Sequence, residues 1–113
     1  MNIGIKSLGV YLPYYYMARE TVSAAWETKG PKGRKSVANV DEDAVTMAVE
    51  AAMDCFRFAD RKDVTSLYFA STTAPYAEKA HSALISVACD LDNRSVFTLS
   101  LIHISEPTRL ALI

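Results

Sequence analysis

Two stretches with helical spacing flank one short, unbroken apolar run, and that order limits what the chain can fold into. From Asp41 onward, Val45, Ala48, Val49, Ala52 and Phe56 fall on one helical face, widened by Ala44, Met47, Ala51 and Cys55. Asp43, Thr46, Glu50, Asp54 and Arg57 leave only a narrow polar strip. So wide an apolar face suits a helix laid flat on a sheet, with alanines permitting close approach. Asp41, Glu42 and Asp43 are expected in its first turn, where carboxylates favour the positive end of the helix dipole. The run Leu67-Tyr68-Phe69-Ala70 is continuously apolar rather than alternating, which predicts a strand covered on both faces, as in a parallel sheet. Ala80, Ala83, Leu84, Val87, Ala88 and Leu91 then recur at helical spacing and predict a second buried helix over 79–91.

The remaining segments complete the pattern. Ile3, Ile5, Leu8, Val10 and Leu12 follow a two-residue rhythm with one slip, and Pro13 ends it by removing a ladder donor, so a first strand is expected there. In "ARETVSAAWE", Val22, Ala25 and Trp26 share a face, which predicts a short helix. "TKGPKGRKS" reads as a loop on its glycines, proline and four cations. A third strand is expected around Ser95 to Thr98. The resulting order β-α-α-β-α-β predicts an α/β fold with a mostly parallel sheet and right-handed crossovers. Parallel sheets place ligands at the carboxyl ends of their strands. The loop "STTAPYAEK" and whatever follows Thr98 are therefore the places for a site.

Charge and cysteine usage exclude several functions. The chain has 113 residues, half of them hydrophobic and 22% charged, which is a globular composition. Twelve basic and thirteen acidic residues leave a formal charge of −1, so nothing global favours nucleic acid or an anionic membrane surface. An anion must be gripped locally. Two cysteines without C-x-x-C spacing make neither a disulfide framework nor a metal or redox motif, and a reducing, cytoplasmic setting is expected. "MNIGIKSLGVYLP" lacks the apolar core of a signal peptide, and no apolar run approaches the roughly 20 residues of a membrane span. "GPKGRK" is not a P-loop, and G-x-G-x-x-G is absent.

The candidate residues divide by chemistry. Thr72, Thr73 and Tyr76 lie on the strand-exit loop, as pocket lining or as ordinary turn chemistry before Pro75. Lys29, Lys32, Arg34 and Lys35 form the one local concentration of cations, which fits either phosphate contact or a solvated loop. Glu78 is expected to favour a helix dipole. Cys55 and Cys89 are expected to be inert packing, and His81 structural or solvated. Tyr14, Tyr15 and Tyr16 read as a core edge or a dimer surface. No metal or cofactor is called for.

"GIKSLGVYLP", "VANVDEDAVTMAVEAAMD" and "LYFASTTAPYAEKAHSALI", in this order and spacing, resemble the hydroxymethylglutaryl-CoA synthase family of the thiolase superfamily, alongside the ketoacyl synthase III proteins. The resemblance runs from about Ile3 to Thr98. It implies the first part of the N-terminal half of an αβαβα thiolase-like fold, a homodimer, acyl-CoA substrates, and acylation of a cysteine before carbon–carbon bond formation. It places the family's nucleophile near His103, where no cysteine stands, and Thr72 at the position of the general-acid glutamate. Thr72, Thr73, Tyr76, Arg34 and Lys35 become the expected substrate contacts, acyl-CoA being a substrate and not a cofactor. A non-catalytic scaffold pairing with a thiolase or an OB-fold protein is the alternative that the resemblance leaves open. "LSLIHISEPTR" resembles the in-frame translation of a sequencing-library adapter. The expected organisation is thus a partial domain over 1–98 and a non-native read-through tail over 99–113.

Overall fold

The computed structural model describes residues 2–76 and 80–91, and the backbone of residues 95–100. In chain order its elements are β1 (Tyr15–Ala18), α1 (Arg19–Ala25), β2 (Arg34–Val37), α2 (Ala44–Cys55), a 3-10 turn (Arg61–Asp63), β3 (Ser66–Ser71), α3 (His81–Ala88) and β4 (Ser95–Ser100). They form two compact units, Leu12–Glu42 and Met1–Tyr11 with Asp43–Ile113.

In the smaller unit β1 and β2 pair antiparallel, from Tyr15 opposite Val37 to Ala18 opposite Arg34. The Arg19 N–H donates to the Gly33 carbonyl at 2.8 Å, tying α1 to the start of β2. Gly33 has φ +126°, a conformation side chains rarely adopt, so this turn depends on glycine. The stretch read as a loop therefore contains a strand. Arg-Lys-Ser-Val shows no apolar alternation because all four residues are exposed, so β2 rests on its backbone ladder rather than on burial.

The larger unit holds the core: Val45, Phe69, Ile85, Cys89 and Leu91, with Ala48, Val49, Ala52 and Phe56 packed against it. The stripe expected on α2 is the one that packs. Its acidic start is corrected in detail, since none of the three carboxylates lies in the first turn. Asp43 instead caps the helix, accepting from the Thr46 N–H at 2.9 Å while its own N–H donates to Thr46 Oγ1 at 2.8 Å. Such a reciprocal cap satisfies two donors that would otherwise lack partners.

Helix α3 differs more deeply from the expectation. Its buried residues are His81, Ser82, Ile85 and Ser86, with Cys89 just beyond its end. Leu84 is 40% exposed and Val87 81% exposed. Of the expected stripe, Ala80, Leu84, Val87 and Ala88 are exposed and Leu91, past the helix end, is buried, while the inward face pairs Ile85 with the small polar Ser82 and Ser86. Specific bonds set this rotation. Ser86 Oγ donates to the Leu91 carbonyl, and the Arg61 guanidinium donates to the Cys89 carbonyl at 3.0 Å while lying 5.0 Å over Phe56. The helix closes in a left-handed turn at Asp90 (φ 56°), with Leu91 N–H bonded to the Ser86 carbonyl and Asp90 N–H to that of Val87.

Strands β3 and β4 pair in parallel, from Ser66 opposite Ser95 to Ser71 opposite Ser100. Ser100 lies two residues past the expected boundary at Thr98, and the remainder of the expected tail lies outside the described residues. Two other expectations are corrected. Burial on both faces of β3 does not occur: Phe69 is buried, but Tyr68 is 66% exposed. The first strand over Ile3 to Leu12 does not form, because a strand needs a ladder and no strand pairs with this segment among the described residues. It lies along α2 instead, Ser7 Oγ donating to the Cys55 carbonyl at 2.8 Å and the Val10 N–H to Asp54 Oδ2 at 3.2 Å. The observed order is thus β-α-β-α-β-α-β, with one antiparallel and one parallel pair, in place of β-α-α-β-α-β.

The same segment is held at its start by an ion pair between Lys6 and Asp63. The partnership raises the Lys6 pKa and lowers that of Asp63, mainly through their shared hydrogen bond. A lowered carboxylate pKa contributes stability that is complete above its unfolded value near 3.8 and lost as pH falls through the folded value. The raised Lys6 pKa contributes below 10.5 and is lost as pH rises through its folded value. Both side chains are exposed, so the effect is local. Hydrogen exchange of residues 2–11 should be slower relative to the core at pH 6 than at pH 3, after correction for intrinsic rates. An Asp63→Asn variant should lose that difference.

Candidate functional site

The site is built on the exit of β3. Where the strand leaves the core, Ser71 Oγ accepts from the Thr73 N–H at 3.1 Å, which turns the chain and leaves Thr72 and Thr73 exposed. Beyond Pro75, the Tyr76 N–H donates to His81 Nε2 at 3.0 Å. The two rings stack at 5.8 Å and 21°, and Phe69 lies 6.0 Å from the imidazole on the core side. His81 is only 4% exposed. Its acceptor role requires the tautomer with the proton on Nδ1. The residue read as structural or solvated is thus buried and anchors the exit loop to the start of α3.

Tyr76 in turn forms one wall of a cavity of about 390 Å³ between α2 and α3, together with Val49, Glu50 and Leu84. The parallel register brings the carboxyl end of β4 beside that of β3, Ser100 opposite Ser71.

Of the five expected contacts, Thr72, Thr73 and Tyr76 share this loop, and only Tyr76 reaches the cavity. Arg34 and Lys35 sit on β2 in the other unit, paired with Ala18 and Met17 and exposed. Arg34 lies 4.5 Å over the Tyr16 ring, which orients its guanidinium. The expected nucleophile slot near His103, and Glu78, lie outside the described residues. Cys89 is fully buried, and that burial pushes its thiol pKa up, with Arg61 partly opposing. A buried, protonated thiol is a poor nucleophile. Among the described residues, no three His, Cys, Asp or Glu side chains converge where they could share a metal ion, and no helix is long and apolar enough to cross a membrane. The cavity itself was not legible in the sequence. The outward turn of α3 creates it, and only hydrogen bonds that periodicity cannot show fix that turn.

Comparison with solved structures defines the class. The chain superposes on 3-oxoacyl-[acyl-carrier-protein] synthase III from Aquifex aeolicus with a TM-score of 0.71 at 22% identity, over 85% of this chain and 34% of that one. It superposes on a hydroxymethylglutaryl-CoA synthase complexed with CoA with a TM-score of 0.72 at 18% identity, over 88% and 27%. The fold is the thiolase-like α/β fold of these structures.

Sequence narrows the class. The chain is 36% identical over 90 residues to the hydroxymethylglutaryl-CoA synthase of Pyrococcus horikoshii, covering 77% of this chain and 26% of that protein. With the synthase of Pyrobaculum arsenaticum it shares 36% over 110 residues, covering 89% and 31%. The chain resembles the hydroxymethylglutaryl-CoA synthase family across most of its length, and it spans between a quarter and a third of these curated relatives. No family model matches it.

Proposed function

We propose that this chain is the opening portion of an acyl-CoA condensing enzyme of the hydroxymethylglutaryl-CoA synthase type, and that the 113 residues alone are catalytically inert. The observation that carries this reading is the identity to such synthases over more than three quarters of the chain, joined to a loop at the carboxyl end of a parallel strand. In this reading Thr72, Thr73 and Tyr76 line one side of the acyl-CoA site, and Arg34 and Lys35 hold CoA phosphates by charge-assisted hydrogen bonds. The complete enzyme is a cytoplasmic homodimer with a mostly parallel sheet in each half, and residues 99–113 are not native to it.

Chemistry supports inertness. The mechanism that the resemblance implies acylates a cysteine thiolate, and Cys89 is buried with a raised pKa. Thr72 stands where the resemblance puts a glutamate, and a hydroxyl can donate a hydrogen bond but cannot cycle a proton near neutral pH. Incubation with radiolabelled acetyl-CoA should leave no label on the 113-residue chain after denaturing electrophoresis. A hydroxylamine-labile acyl adduct would overturn the claim.

The threonine at position 72 also favours a second reading, in which the whole protein is a non-catalytic scaffold that pairs with a thiolase or an OB-fold protein. The gene beyond the codon for Thr98 separates the two. A cysteine codon within about half a dozen positions, at a helix start where the dipole favours a thiolate, indicates the enzyme. Its absence indicates the scaffold.

A further inference from the structure

The cavity between α2 and α3 has a character that the condensing-enzyme reading does not use. Its floor is apolar, from Val45, Val49, Leu84 and Ala88, and Tyr76 closes one side. Its rim carries two carboxylates, Asp43 and Glu50, and no cation among its described lining residues. Asp43 caps α2 and Glu50 lies seven residues on, about 10 Å along the axis at the usual helical rise. Leu84 contributes to the floor while still 40% exposed, because α3 turns its polar residues inward. The Tyr76 wall is held from behind by buried His81.

The geometry points to this groove as a docking site for a cation-bearing amphipathic helix of a partner protein. A helix laid in a groove between two others presents anchors at i, i+3, i+4 and i+7. Leucines at the central positions fill the apolar floor, and lysine or arginine at i and i+7 repeats the spacing of Asp43 and Glu50. Charge complementarity chooses the partner, since an acidic helix of the same hydrophobicity would meet two like charges. The proposal rests on α2, α3 and Tyr76 alone, so it stands or falls separately from the acylation result.

The probe is a synthetic, fluorescein-labelled helix with leucines on one face and lysines at i and i+7, titrated into the 113-residue chain by fluorescence anisotropy. Expected is saturable binding, weakened at least roughly tenfold when the two lysines are glutamates or when Glu50→Lys is introduced, and weakened by added salt. Leu84→Asp, at a half-exposed position that tolerates a charge, should abolish it. Glu50→Lys should in turn raise affinity for the glutamate peptide. Equal binding of both peptides would mark the groove as merely adhesive and overturn the proposal. Binding indifferent to both substitutions, or no binding at all, would do the same.

Discussion

Ile85→Ala should lower the unfolding free energy by about 3 kcal/mol, measured by urea denaturation followed by circular dichroism. Ile85 is 2% exposed and sits among Val45, Phe69, Cys89 and Leu91, a core too small to collapse around a lost side chain. Both the transfer and the cavity contributions therefore apply. The matching change Leu84→Ala, one residue away on the same helix, should cost less than about 1 kcal/mol, because that side chain is half in solvent. Periodicity alone predicts the opposite ranking, with Leu84 on the buried stripe. Equal losses at the two positions, or a larger loss at Leu84, would show that α3 is rotated away from the orientation described.

Gly9→Ala should be the most damaging of the four possible glycine-to-alanine changes. A Cβ at this position would stand 2.0 Å from the Ala51 carbonyl oxygen, 2.5 Å from the Cys55 nitrogen and 2.7 Å from the Cys55 Cβ. Two of these are helix backbone and cannot swing aside. The segment must lift from α2, giving up the Ser7 and Val10 hydrogen bonds, at a cost of about 2 kcal/mol. Amide exchange at Val10 should accelerate to the rate of an open peptide. Gly4→Ala, with nothing within 4 Å of its Cβ, is the control and should be close to silent. An unperturbed Val10 amide in the Gly9 variant would mean that the segment does not lie on α2.

What could be read from the residues follows from what each element uses to hold itself. Helix α2 was legible because one apolar face does the packing, and Val45, Ala48, Val49, Ala52 and Phe56 are spaced for it. The helix at 81–88 was legible as a helix, but not its orientation. Ser82 and Ser86 are small enough for close approach, and the bonds Ser86 to Leu91 and Arg61 to Cys89 lock that face inward against the hydropathy signal. Strand β2 has no sequence signal because backbone pairing leaves no pattern in an exposed Arg-Lys-Ser-Val. The rhythm from Ile3 to Leu12 was real, yet a rhythm does not supply a neighbour to pair with. Thr72, Thr73 and Tyr76 follow the end of β3 at Ser71, a position that the end of the apolar run makes legible, whereas the groove beside them depends on the rotation of α3 and has no sequence signal.

The parallel register of Ser66–Ser71 with Ser95–Ser100 carries a kinetic consequence. Parallel neighbours cannot zip from a tight turn, so their first contact closes a long loop and waits for the crossover helix. During synthesis the Leu67–Ala70 run emerges well before its mate and stays bare in the interval. Whatever shortens that wait, a faster-forming α3 or a chaperone that masks the run, should govern how much of the chain reaches its native state rather than how stable that state is.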